Sequence, residues 1–369
     1  MTRNSSHVPQ GRLNADSLRS LLVTFSLLGL SVVASANADD QVGWEWLSSA
    51  SVSTEVHLRV DNNTALIGEA GEDLQDVNPY RFRLTPQIDF QLGEKGSFKT
   101  RARAEYRSVG GSDSSDVFMD TWLYQFAGDG YVLSAGRGSL PFWTQNDLFW
   151  SGDVTPMGVF ASKDLNADSV FATLSAGYFE LPHGKNEFDD QMAAFQAYLI
   201  GSVNEVDWTI AAGGYFIDSD SSSDAYGGFD RIRDYSIANM SFKAEADAGG
   251  QPVSLGIDLY KNLTRYDGDS LDGEDFGFLA TASWKANDEL KFGYTYARVE
   301  ALSVSTPYAE GDWVRFGSGS HPVGMQGHGF QAIYSFAENQ SFMGYVFLRD
   351  VMDSLQEATR YRFEYNASF

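Results

Sequence analysis

Residues 80–108 read YRFRLTPQIDFQLGEKGSFKTRARAEYRS, and their alternation decides the fold. Tyr80, Phe82, Leu84, Pro86, Ile88, Phe90 and Leu92 point one way along an extended chain; Arg81, Arg83, Thr85, Gln87, Asp89 and Gln91 point the other. After the link GEKG the pattern resumes from Phe98 to Tyr106, set against Lys99, Arg101, Arg103, Glu105 and Arg107. A period of two is the signature of a strand, and a brief polar interruption followed by the same period is a hairpin. The runs reach about ten residues or more, the length a tilted membrane-crossing strand requires, whereas strands of soluble proteins are about five or six.

Outward from this hairpin the rhythm repeats. Val52, Thr54, Val56, Leu58 and Val60 alternate with Ser53, Glu55, His57 and Arg59. Short links fall at 93–96, 128–130, 165–168, 201–205, 248–251, 286–288 and 337–339. Longer polar links lie between them at 61–78, 110–116, 138–156, 180–190, 218–234, 263–274, 301–327 and 350–358. Short turns at one end and long loops at the other are the pattern of an all-β transmembrane antiparallel barrel. The count is about sixteen strands, and fourteen if the weakest segments, 131–137 and 157–164, do not pair.

Aromatic residues gather beside the short turns: Phe90 with Phe98, Phe126 with Tyr131, Trp284 with Phe292, and Phe336 with Phe342. Such rings favour a membrane–water boundary and predict a girdle at the short-turn end. The last segment places Tyr361, Phe363, Tyr365, Ala367 and Phe369 on one face. It resembles the assembly signal read by the bacterial barrel-assembly machinery.

Composition agrees. Of 369 residues, 18 are Tyr, 26 Phe and 36 Gly but only 9 Pro, which suits pleated surfaces joined by tight turns. The absence of cysteine leaves closure of the sheet, not disulfides, to supply stability. Residues 1–38 read as a secretory signal, with basic Arg3, Arg12 and Arg19, an apolar run from Leu21 to Val33, and the cleavage site Ala36-Asn37-Ala38. Residues 39–369 then form the barrel, bound for the Gram-negative outer membrane. The formal charge of −24 becomes −26 without the three arginines and one aspartate of that segment, which argues against nucleic acid as a partner.

Chemistry concentrates in two places. Arg59, Arg81, Arg83, Lys99, Arg101, Arg103 and Arg107 share the polar face of the first three strands, and Arg360 and Arg362 join them once the last strand closes on the first. On the lipid side each would cost about 2–4 kcal/mol at the midplane, so they are expected to line the lumen as a basic wall. Asp89 and Glu105 are interleaved with them. The third external loop, 138–156, reads GSLPFWTQNDLFWSGDVTP and is too apolar to stand in water. Its Phe142, Trp143, Asp147, Trp150 and Asp153 are expected to fold inward as a constriction, with the acids facing the basic wall across the pore.

The same loop carries a family resemblance. Gly136-Arg137, Pro141-Phe142-Trp143, Asp147-Leu148-Phe149-Trp150, Asp153 and Pro156-Met157-Gly158 resemble the motif G-[RK]…N-P-F-W…D-L-x-W-D-x-D…P-x-G of a Gram-negative porin family. Leu140 stands in place of Asn and Ser151 in place of Asp. The resemblance implies a channel-forming barrel and names no solute.

Three other readings fit the residues less well. Clustered acids at Asp218, Asp220 and Asp224, and at Asp267, Asp269, Asp272, Glu274 and Asp275, suit solvated loops better than calcium sites, and Leu271 breaks the EF-hand pattern. An enzyme would need a nucleophile motif beside one of His7, His57, His183, His321 or His328, and there is none. A plugged receptor lacks room for a plug before the first strand. The expectation is therefore a passive porin for small hydrophilic solutes or ions, a homotrimer embedded in lipid and lipopolysaccharide, with no cofactor or metal. A narrow channel for an anion such as phosphate, and a non-conducting structural or adhesion barrel, are the alternatives.

Overall fold

The structure, a computed structural model, describes residues 47–68, 79–109, 112–167, 170–182, 187–219, 233–314, 316 and 324–369. The expected signal segment, His7, His183, His321, Asp220 and Asp224 lie outside the described residues.

Sixteen antiparallel strands close into a barrel. They are β1 (Leu47–Ile67), β2 (Tyr80–Leu92), β3 (Gly96–Val109), β4 (Ser112–Gly128), β5 (Tyr131–Arg137), β6 (Met157–Ala167), β7 (Val170–Pro182) and β8 (Phe188–Val203). The second half comprises β9 (Val206–Asp218), β10 (Tyr235–Asp247), β11 (Pro252–Asn262), β12 (Phe276–Lys285), β13 (Leu290–Val299), β14 (Met325–Ala337), β15 (Gln340–Val351) and β16 (Glu357–Ser368). Each strand pairs with its sequence neighbours, and β16 pairs with β1 to remove the edges. The two weakest segments of the sequence, β5 and β6, pair along the whole of β5.

The alternation sorts side chains as expected. Val52, Leu58, Val60, Tyr361 and Phe363 are exposed on the outer face, while Asp61, Arg103 and Arg362 are buried inside. At the short-turn end Phe90 stacks on Phe98 with centroids 6.3 Å apart, Trp284 on Phe292 at 5.8 Å, and Phe336 on Phe342 at 5.1 Å. These cross-strand pairs form the expected girdle. The final residue is tied in by backbone bonds in both directions between Phe369 and Thr54, each 2.9 Å.

Two strands run further than their sequence suggests. β1 continues through Asp61 to Ile67, and β4 begins at Ser112, inside segments that read as loops. β4 also carries a bulge opposite Arg101 and Ala102, where the partner changes from Thr121 to Met119. The extra residue is Asp120, which is fully buried on the inner face.

Candidate functional site: the lumen and its two inward loops

The wall comes first. Register sets Arg59 opposite Arg81, and Arg81 opposite Arg107, so one row of the inner face carries three guanidinium groups side by side. Like charges directly opposite on a sheet repel. The next row places Arg83 between His57 and Glu105. Carboxylates from the strands offset part of this charge. Asp61 pairs with Arg59 and Arg362, both at 2.7 Å, and Asp120 with Arg101 and Arg103, both at 2.8 Å. Arg83 reaches Glu105 at 2.7 Å, Lys99 reaches Asp89 at 3.8 Å, and His57 Nε2 lies 3.6 Å from Glu364.

All nine basic residues expected on the wall lie on β1, β2, β3 and β16, which are consecutive around the ring. Sequence reading missed their main partners. Asp61 lies in a segment that reads as a loop and Asp120 is displaced by a bulge, so neither falls on the alternating polar face. It also missed Arg349, fully buried on β15, whose Nη1 donates to the Asp312 carbonyl at 2.9 Å.

The β5–β6 loop, 138–156, lies inside the barrel. Gly136 bends the chain where it leaves β5, with φ at 131° and no room for a Cβ, which would lie 2.1 Å from the Trp122 carbonyl. Arg137 then holds the base of the loop, donating from Nε to Thr155 Oγ1 at 3.1 Å and from Nη1 to the Met119 carbonyl at 3.0 Å.

One side of the loop is aromatic and meets an aromatic wall. Phe142 packs edge-on against Phe179 and Tyr215, and Phe149 stacks on Tyr260 at 5.5 Å. Burying each such ring contributes about 1.5–3 kcal/mol, which explains why so apolar a loop turns inward. Polar backbone is satisfied as well: Gln196 accepts from Trp143 N at 2.7 Å and donates to its carbonyl at 2.9 Å. Gln145 donates to Asp258 at 2.8 Å, and Asn146 donates to the same carboxylate.

The other side meets the basic wall through Asp153. Arg83 grips its carboxylate end-on, Nη1 to Oδ1 at 2.6 Å and Nη2 to Oδ2 at 2.8 Å. Arg81 adds a contact at 3.1 Å and Arg103 one at 3.4 Å. Burial by itself raises the pKa of this carboxyl; the hydrogen bonds and charge of Arg83, with Arg81 and Arg103 beside it, override that and hold it well below the usual carboxylate range. Asp147 is pushed the other way, by burial and by the charge of Asp153. Asp153 thus rests on the wall itself and does not face it across a gap.

The β13–β14 loop also folds inward. Asp312 binds Arg362 through two bonds of 2.6 and 2.7 Å and Arg360 through one of 2.7 Å. Its Tyr308 hydroxyl donates to Asp190 of β8 at 2.5 Å. The two loops touch: Trp150 stacks on Tyr308 at 5.4 Å, Ser151 N donates to the Tyr308 carbonyl at 2.8 Å, and Glu310 N to that of Leu148 at 3.1 Å. The sequence of this loop reads as an ordinary polar link. Its Leu302, Val304, Tyr308, Trp313 and Val314, all buried, were the available signal.

Strand order shows how far each loop reaches. β3, which carries Arg103, and β11, which carries Asp258, are eight positions apart in a ring of sixteen. β16, with Arg360 and Arg362, and β8, with Asp190, are likewise eight apart. Each loop therefore contacts opposite walls. Between them and the short-turn end lies a cavity of about 540 Å³, lined by Arg83, Arg101, Arg103 and Asp153 above and by the β14–β15 turn below.

Elsewhere two of the loop acids pair with basic side chains. Asp269 pairs with Arg233 at 2.7 Å, and Asp275 pairs with Lys261. Among the described residues no group of His, Cys, Asp and Glu is placed to hold a metal ion.

A closed sixteen-stranded barrel with inward loops is the fold of the outer-membrane porins. Pseudomonas putida OprB is similar at a TM-score of 0.57, with 12% identity, covering 87% of this chain and 94% of that one. Pseudomonas aeruginosa OccK5 (OpdH) is similar at 0.52, with 9% identity, covering 88% and 99% of the two chains. The Vibrio cholerae outer membrane protein OmpT, in a loop L8 deletion mutant, reaches 0.51 with 13% identity over 87% and 100%. No protein-family model and no curated protein matches the sequence.

Proposed function

We propose that this chain is a porin of the Gram-negative outer membrane, admitting small hydrophilic solutes or ions by passive diffusion through a lumen narrowed by the β5–β6 loop. The observation that carries this reading is the span of that loop, from Arg83 on one wall to Asp258 on the other. A loop bound at both ends across a water-lined barrel leaves a restricted path beside it, and the side chains at its ends set the charge of that path. The β13–β14 loop shares the role, because it is stacked on the first through Tyr308. Acidic Asp147 and Asp153 and the arginines of the wall are the residues a passing ion meets.

The remaining assignments belong to the same proposal. Cleavage near Ala38 releases the barrel into the periplasm, the assembly machinery reads Tyr361, Phe363, Tyr365 and Phe369, and the mature protein sits as a homotrimer among lipid and lipopolysaccharide. Purified, folded protein in a planar bilayer tests the channel. Discrete conductance steps in KCl are expected; their absence from correctly folded protein would overturn the reading. Neutralising Arg81, Arg83, Arg101 and Arg103 together should move the reversal potential in a salt gradient toward cation preference.

A further inference from the structure

Two loops enter the lumen, and the seam between them carries an acid whose neighbouring cations are already engaged. Across that seam Trp150 stacks on Tyr308 at 5.4 Å, Ser151 N donates to the Tyr308 carbonyl at 2.8 Å, and Glu310 N donates to the Leu148 carbonyl at 3.1 Å. The Glu310 side chain lies in the same seam, where its Oε2 accepts from Ser151 Oγ at 3.4 Å. The charged groups that face this carboxyl are Asp312 from its own loop, Asp153 from the β5–β6 loop, Arg362 from β16 and Arg59 from β1. Arg59 is committed to Asp61, and Arg362 to Asp61 and Asp312. An ionised Glu310 therefore adds a third carboxylate where the two loops meet, away from most of the water. Burial and the charge of Asp312 accordingly push its carboxyl up to about 7.

We propose that Glu310 is a positioning residue of the constriction: neutral, it lets the two loops close on each other, and ionised, it forces their seam apart and widens the path. The inference rests on the porin reading, in which the β5–β6 loop narrows the lumen, and adds a regulator to it. The outer attachments hold while the seam moves. Asp153 stays on Arg83 and Asp312 on Arg362, because the arginines override burial and keep both carboxyls ionised on either side of the transition. A carboxyl raised in the closed seam favours closure fully below its ordinary 4.5, and that preference is lost as pH rises through about 7.

The backbone N–H groups of Ser151 and Glu310 donate across the seam, so hydrogen–deuterium exchange of the folded protein reads its opening directly. Unaltered protein and Glu310→Gln are compared at the same pH, which cancels the chemical exchange rate. At about pH 8 the seam amides of the unaltered protein should exchange about ten-fold or more faster than those of Glu310→Gln; at about pH 4.5 the two should agree within about two-fold. Amides of β7 to β11 should match throughout. Glu310→Asp keeps the ionisable group and should open at the higher pH as the unaltered protein does. Equal seam exchange in unaltered protein and Glu310→Gln at the higher pH overturns the proposal, as does a Glu310→Asp variant that stays closed there. Conductance in KCl is measured on the same preparations. It should be higher at the higher pH in the unaltered channel, with most of that rise lost in Glu310→Gln. Open channels whose seam is indifferent to Glu310 refute this role alone, whereas a seam that opens through Glu310 without conductance refutes the channel and leaves the seam.

Discussion

Two loops bring a carboxylate to the same arginine wall, and the surroundings of those carboxylates differ. Asp153 of the β5–β6 loop is 41% exposed and borders the cavity; Asp312 of the β13–β14 loop is 6% exposed and bonded to Arg360 and Arg362. The same ion pair therefore does different work in the two places. Where the carboxylate is exposed, solvent screening reduces what the contact contributes to stability. Where water is excluded, removing one partner strands the others. The β13–β14 loop is held to the wall by an enclosed carboxylate, and the β5–β6 loop by one that borders the cavity.

Breaking the enclosed contact should have the largest effect. Asp312→Ala leaves buried Arg362 with Asp61 and Arg360 with Asn63 as their remaining partners, and a loss of about 3–5 kcal/mol is expected in denaturant unfolding of the detergent-folded barrel. Tyr308→Phe removes the hydroxyl bonded to Asp190 while keeping the ring on Trp150. It should cost about 1–3 kcal/mol, and a larger loss would show that the two loops depend on each other more than their contacts suggest. Asp153→Ala should lower stability by about 1 kcal/mol or less by the same measurement.

The smallest effect concerns pH. Burial and the charge of Asp312 push the Glu310 carboxyl up to about 7. A carboxyl raised in the folded state favours its neutral form, so its contribution is full below the ordinary pKa of 4.5 and is lost as pH rises through about 7. Glu310→Gln should flatten the stability profile between those values. Asp153 and Asp312 are held below their ordinary 3.8, so both attachments persist at pH 4 and loosen only in stronger acid.

The contrast between the two loops also shows what sequence can reveal. Strand alternation is a property of single residues in order, so the barrel and its sixteen strands were legible from β2 and β3 outward. The β5–β6 loop was legible because Phe142, Trp143, Phe149 and Trp150 are dense enough to demand burial. The β13–β14 loop hides a similar demand among polar residues, with Leu302, Val304, Tyr308 and Trp313 spread along it. Partners of the arginines were the least legible. Asp120 reaches Arg101 and Arg103 only because a bulge reverses the alternation in β4, and Asp312 reaches Arg362 from 50 residues away in the chain. A pattern of period two records neither a bulge nor a contact across the lumen.

Under the proposed function, Asp153 sets the charge of the open path while resting on Arg83. The most direct test is the zero-current potential of Asp153→Asn across a KCl gradient, compared with the unaltered channel under the same conditions. Losing this carboxylate leaves Arg81 and Arg83 without their loop partner, so the potential should move toward anion preference while the barrel stays folded. An unchanged potential, or a move toward cations, would place the path of ions elsewhere and contradict the account.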